Sequence, residues 1–270
     1  MKKFRFPVAW VCFLWIMLTG CFPKKSAENH KKETDTIPGS GEITLAPLKM
    51  TTLYEDAMLE MNEPGEFRRV LSGKVRFSYE VINFKLGKQI REPVSGGLAF
   101  RSSGSHITTI LNNILSQSNP GTEFYLDLKE GHYTVLAFLS QSDFISLKSP
   151  DAYVIRQFTC GRAKARDLDL TGPNLFYSMP SGSFYGKETE NVLLDFYLIN
   201  CRLSPDGFKV KVTVNNRTKI ITDWSPYIIH GLPYGESTIT LRLIGKNGHE
   251  VSAPYHSATR KIFLYEKKPA

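Results

Sequence analysis

The amino-acid sequence predicts an all-β protein of two tandem sandwich domains, and three observations carry that prediction. Apolar and polar residues alternate with period 2, as in half-buried strands. Val75, Phe77, Tyr79 and Val81 oppose Arg76, Ser78 and Glu80; Phe208, Val210, Val212 and Val214 oppose Lys209, Lys211 and Thr213; Ile239, Leu241 and Leu243 repeat the pattern. Turn-forming clusters separate the runs at Lys129-Glu-Gly131, Ser204-Pro-Asp-Gly207, Asn215-Asn216 and Lys246-Asn-Gly248. The chain also repeats itself. Residues 75–86 align with 192–203 at an offset of 117, 104–113 with 207–216 at 103, 128–139 with 232–243 at 104, and 149–150 with 253–254 at 104. Four collinear segments at nearly constant spacing point to two copies of one domain. Short antiparallel strands at this spacing predict sandwiches of immunoglobulin or fibronectin-III type.

Along the chain, residues 1–20 open with Lys2, Lys3 and Arg5 and continue through an uncharged apolar run from Pro7 to Leu18 to small residues, the order of a secretory signal peptide. The run is shorter than the ~20 residues that span a bilayer as a helix. Leu18-Thr-Gly-Cys21 fits a bacterial lipobox, in which a cysteine thiol takes a diacylglyceryl thioether and becomes the new N-terminus. Cys21 is therefore the expected lipidation site, and Cys12 leaves with the signal. Acyl carbons contributing ~0.8 kcal/mol each would hold the chain to a membrane without a spanning helix. Phe22-Pro-Lys-Lys25 places no aspartate after the cysteine, which by analogy with lipoprotein sorting favours an outer-membrane anchor on the periplasmic face.

Residues 21–51 are polar and read as a lipidated, disordered tether, with folding expected to begin near Thr52. Residues 52–161 are the first sandwich. Within it Ile107, Ile110, Leu111, Ile114 and Leu115 also fit a helical stripe, but the repeat partner 209–214 decides for a strand. Residues 162–191 link the copies; Phe176, Tyr177, Phe184 and Tyr185 predict that this segment packs on a domain, for instance as the first strand of the second. Residues 192–267 are the second sandwich.

With 41% apolar and 22% charged residues, the 270-residue chain is too apolar for a disordered protein. Loss of residues 1–20 removes three positive charges and no negative ones, lowering the net charge from +8 to +5, and export disfavours a nucleic-acid partner. The cysteines at 12, 21, 160 and 201 form no CxxC pair and no Cys/His cluster, which excludes a zinc ribbon or thioredoxin-type site. Cys160 and Cys201 fall in different copies and read as buried apolar residues rather than as a disulfide. No GxSxG elbow, HExxH helix, GxGxxG turn or phosphate-binding Gly-Lys-Ser/Thr loop is present. The expectation is a non-enzymatic protein with no catalytic residue, cofactor or metal.

Residues 57–64, the Gly104-Ser-His-Ile core, 135–142, 151–154, 174–178, 192–198 and 224–236 together resemble a family of Bacteroidota lipoproteins that carry a phosphopeptide-binding label. The resemblance covers about 54–266 and implies architecture and compartment, leaving mechanism open; no Arg-rich phosphate pocket is evident. It also implies a Gly-Gln-His-x-His pattern followed by an Asp/Asn pair. Here His106 takes the first histidine position, Thr108 stands at the second, and Asn112-Asn113 follow. Alignment with Lys209 puts His106 on the outward strand face, as an exposed or rim residue. His106, Asn112 and Asn113 are nevertheless the candidate ligand-binding residues.

The Lys209, Lys211, Arg217 and Lys219 group suits either an anionic partner or a solvated sheet face that discourages edge pairing. Trp224, Tyr227 and Tyr234 read as a buried Trp with a turn-packing tyrosine, or as an aromatic loop for sugar or protein. The leading functional expectation is a membrane-anchored structural or binding module of the bacterial cell envelope, whose partner is an envelope protein. The alternative is a lipoprotein holding a small polar ligand or metal on the His106 strand.

Overall fold

In the computed structural model the described residues are 42–48, 54–89, 98 and 104–268. The signal segment and Cys21 lie outside them. In chain order the strands are β1 (Thr44–Pro47), β2 (Met58–Glu63), β3 (Arg69–Val70), β4 (Gly73–Ile82), β5 (His106–Leu111) and β6 (Leu115–Asn119). There follow β7 (Glu123–Leu128), β8 (Gly131–Ser140), β9 (Tyr153–Cys160), β10 (Asn174–Met179), β11 (Gly182–Tyr185) and β12 (Val192–Ile199). The last are β13 (Lys209–Val214), β14 (Arg217–Ile221), β15 (Tyr227–His230), β16 (Gly235–Ile244) and β17 (Ser257–Tyr265).

The duplication extends to topology, strand for strand except for β1. The first sandwich pairs a sheet β2-β4-β7 with a sheet β3-β9-β8-β5-β6, and the second pairs β10-β12-β15, extended at its far edge by β1, with β11-β17-β16-β13-β14. In each copy the second short strand joins the last strand in parallel, β3 on β9 and β11 on β17, while the other pairings are antiparallel. Small features repeat too. Asn112 and Asn215, at φ 51° and 52°, each accept a backbone N–H on Oδ1, from Thr134 at 2.7 Å and from Thr238 at 2.8 Å. Their side chains fix the turn after the strand at which each copy's β-hairpin reverses.

Alternation explains both cores. Val75, Phe77 and Tyr79 face Ile107, Val135, Ala137, Leu139 and Phe158 across the first sandwich. Leu194 and Phe196 face Val210, Val212, Ile239, Leu241, Ile262 and Leu264 across the second. The 107–115 segment is a strand and hairpin, as the repeat indicated.

Two boundaries differ from the sequence reading. The segment expected to be a disordered tether as far as 51 contains β1, which pairs antiparallel with β15 from Thr44↔His230 to Pro47↔Tyr227. Leu45 is buried in the second core, with Ile43 packed against it. A strand of four residues in a Pro- and Gly-rich stretch gives too little alternation to register as one. The 162–191 segment, expected to link the copies while packing on a domain, for instance as the first strand of the second, supplies β10, β11 and a 3-10 turn (Gly186–Thr189), so the boundary read at 192 moves to Asn174. Phe184 lies in its core.

The outer faces of the two copies meet. Every residue of β5, β10 and β12 is buried, although each strand has only one face toward its own core. The reason is that Ile110, Leu136 and Phe138, on the outer face of the first sandwich's five-stranded sheet, pack on Phe176, Tyr197 and Ile199, on the outer face of the β10-β12 pair. Runs such as the Val-Leu-Leu-Asp-Phe-Tyr-Leu-Ile of β12 are apolar on both faces because both are covered. The result is a stack of four sheets.

Candidate functional site

A cluster of buried polar and charged groups lies where the copies meet. Asp195 interrupts the apolar run of β12, its outward direction carries it into the contact, and it is 0% exposed. A carboxylate so placed requires a partner. Lys148, in the loop after β8, supplies it: Nζ donates to Asp195 Oδ1, to Ser146 Oγ and to Phe196 O, each at 2.7 Å. The Ser146 N–H donates to Asp195 Oδ2 at 3.3 Å, so both carboxylate oxygens are engaged. The Lys148 side chain is 16% exposed, and its ammonium stands 5.0 Å from the Trp224 ring centroid and 5.4 Å from that of Tyr197. Burial lowers the Lys148 pKa, against the attraction of Asp195.

Aromatic rings seal this ion pair. Tyr197 stacks on Phe138 at 4.7 Å and meets Trp224 edge-on at 5.2 Å, and its hydroxyl donates to Leu147 O at 3.0 Å. Trp224 Nε1 donates to Phe196 O at 3.0 Å. Trp224 is thus packed on the joint, Tyr227 closes its own turn by donating to Asp223 O at 3.1 Å, and Tyr234 is exposed. Sequence reasoning missed Lys148 and Asp195 as a pair. Asp195 alone was visible, as a charge within an apolar strand.

The three candidate residues are not brought to one ligand site. Asn112 holds the turn described above. Asn113 bridges the copies: Nδ2 donates to Leu175 O at 3.0 Å and Oδ1 accepts the Tyr177 N–H at 2.8 Å, capping the free edge of β10. Arg260 continues that cap, donating to Tyr177 O at 2.6 Å and Ser178 O at 2.8 Å. His106 does point outward from its strand, but it is 1% exposed rather than a rim residue, because residues beyond its strand, Phe144 of the loop after β8 among them, cover it. Its ring rests on Phe144 at 4.8 Å. Nδ1 lies 2.8 Å from Gly104 O; a carbonyl can only accept, so the proton is on Nδ1 and Nε2 holds a bare lone pair with no partner. Among the described residues no three His, Cys, Asp or Glu side chains converge on a metal position.

Burial lowers the His106 pKa below its ordinary 6.5, with the Gly104 hydrogen bond opposing. The unfolded chain therefore binds a proton in a window below 6.5 where the folded chain does not, and stability falls as pH drops through that window. Asp143 is raised by burial and changes stability in the opposite direction. The difference in urea midpoint between wild type and His106→Gln isolates the histidine. It is expected to shift in favour of the variant on going from neutral to mildly acidic pH, and a pH-independent difference would contradict the assignment.

Cys160 and Cys201 are free thiols, the first buried and the second half-buried. Burial raises both, Cys201 to about 12.

No family model matches this chain, and no curated protein matches it. Among solved structures it is similar to the fibronectin(III)-like modules of Clostridium thermocellum CbhA, at 13% identity over 79% of this chain and 97% of that one, with a TM-score of 0.28. It is also similar to Parabacteroides merdae β-glucuronidase, at 9% identity over 77% of this chain and 24% of that one, TM-score 0.24. A third is Bacteroides ovatus SGBP-B in complex with a mixed-linkage heptasaccharide, at 10% identity over 76% of this chain and 47% of that one, TM-score 0.22. The chain spans less than half of the latter two. Its strand orders define an all-β protein of two tandem immunoglobulin/fibronectin-III-like sandwiches.

Proposed function

We propose that this protein is a non-enzymatic lipoprotein of the bacterial cell envelope, anchored through Cys21 on the periplasmic face of the outer membrane, where the sandwich pair acts as a structural or protein-binding module. The resemblance to Bacteroidota lipoproteins and the lipobox support the compartment. What supports a scaffold over a catalyst is the use made of the buried ionic groups. Lys148 and Asp195 hold one copy to the other, with every oxygen and ammonium proton occupied, and so does Asn113. Metabolic labelling with a fatty acid tests the anchor. Wild type is expected to take the label and sediment with membranes, and Cys21→Ser to lose both; retention of label in Cys21→Ser contradicts the anchor.

A second reading, a small polar ligand or metal at His106, is favoured by one observation: the bare, buried Nε2. Calorimetry with divalent zinc and nickel decides it. Micromolar binding lost in His106→Ala would replace the scaffold reading, and absence of heat would discard the ligand reading.

A further inference from the structure

We propose that the β13–β14 hairpin of the second sandwich docks onto anionic phospholipid headgroups. Lys209, Lys211, Arg217 and Lys219 lie on this hairpin, and residues 207–222 contain no Asp or Glu. Two other cations of the same sheet are neutralised, Arg242 by Glu250 at 3.4 Å and Lys261 by Glu236 at 2.8 Å, and a third, Arg260, is taken up by the Tyr177 and Ser178 carbonyls. The hairpin cations have no carboxylate within ion-pair distance among the described residues. Ile220 stands directly across from Lys211 and is 45% exposed. Lys209 and Lys211 share this outer face with Ile220, while Arg217 and Lys219, across from the buried Val214 and Val212, extend from the opposite face at the free edge of β14. An exposed β-branched side chain beside cations fits the boundary where headgroups give way to acyl chains.

The duplication supplies an internal comparison. The equivalent hairpin of the first copy, β5–β6, has no Lys, Arg, Asp or Glu from 106 to 119. Its edge strand β6 folds in the same position as β14 without a single cation, so protecting a sheet edge does not require them. At the other end of the four-sheet stack the outer face of β2-β4-β7 is acidic. Glu60 and Glu80 are direct cross-strand partners there, which an anionic surface would repel. The two ends of the stack therefore carry opposite preferences for a membrane.

The position of the membrane rests on the lipid-anchor reading. Glu42, Ile43 and Thr44, where the described chain begins, line the same groove, of about 430 Å³, as Arg217 and Lys219. Lys219 Nζ donates to Leu45 O at 2.9 Å, tying hairpin to entering strand. The hairpin is thus the part of the second sandwich beside the point where the described residues begin, and on the lipid-anchor reading an anchor at Cys21 raises its effective concentration at the membrane surface.

The test uses residues 37–270, a single compact unit holding both cores and β1. Co-sedimentation at low salt with vesicles containing phosphatidylglycerol is compared with phosphatidylcholine vesicles. Each cation near an anionic surface contributes roughly a fivefold factor. Binding is expected to be at least about tenfold stronger to the anionic vesicles, to fall with salt, and to fall at least about tenfold in Lys209→Gln/Lys211→Gln/Arg217→Gln. Lys74→Gln, on the acidic face, is expected to leave it unchanged. Equal binding to both vesicles, or an unaffected triple variant, overturns the proposal. Release by millimolar inorganic phosphate at constant ionic strength would identify a free phosphate ligand and also overturn it. Because the fragment lacks Cys21, its failure is distinct from failure of the anchor, which fatty-acid labelling reads separately.

Discussion

Replacing Asp195 by alanine is expected to destabilise the protein by about 3–5 kcal/mol, the cost of leaving a largely buried lysine without its counter-charge. Lys148 cannot withdraw to water without giving up Ser146 Oγ and Phe196 O as well, and the Trp224 and Tyr197 rings stand over it. The pair as a whole is worth far less than that figure, because both ions were taken out of water to form it. Removing both charges at once, in Asp195→Leu/Lys148→Met, is therefore expected to recover most of the loss. Urea unfolding of the two variants reads the difference directly. A single variant within about 1 kcal/mol of wild type would mean that Lys148 finds water or another partner, and that the ion pair does not hold the joint.

The second large effect is expected at Tyr197. The ring is buried between Phe138 of the first copy and Trp224 of the second, and its hydroxyl donates to Leu147 O of the first. Truncation to alanine removes a full aromatic side chain and leaves a cavity in a contact lined by strands on both sides, for a loss of about 3–5 kcal/mol. The loss is not confined to the copy that carries the substitution. The first sandwich's outer sheet face, with Ile110, Leu136 and Phe138, would meet water if the second moved away, so the first copy is expected to be weakened as well. A destabilisation restricted to the second sandwich would contradict the contact.

Much of this fold was legible because period-2 alternation and collinear repeats are local or self-referential signals. Val75-Phe77-Tyr79 and Val210-Val212-Val214 announced half-buried strands, and the offsets of 103 and 104 carried the ambiguous 107–115 segment to the correct answer. The joint was not legible, since it depends on which outer face meets which. The full burial of β12 had a signature, apolar residues on both faces, yet nothing in the run itself names Ile110 and Phe138 as its cover. The same gap produced the error at His106. Its outward direction was read correctly from Lys209, while its exposure was not, because the copies diverged in what covers that face. Asn112 and Asn113 looked like one motif and perform two tasks, one within a turn shared with Asn215 and one across the joint. Strand β1 was hidden by its length.

The contact between outer faces should make the two copies unfold as one cooperative unit, and the native thiols offer a direct measure of it. Cys160 reports the first sandwich and Cys201 the second, and neither is paired. Pulsed thiol labelling of residues 37–270 across a urea series should expose both cysteines at one common midpoint, and Tyr197→Ala should move the Cys160 midpoint along with that of Cys201. Two separate midpoints, with Cys160 indifferent to Tyr197→Ala, would show two independent sandwiches and rule out a cooperative joint.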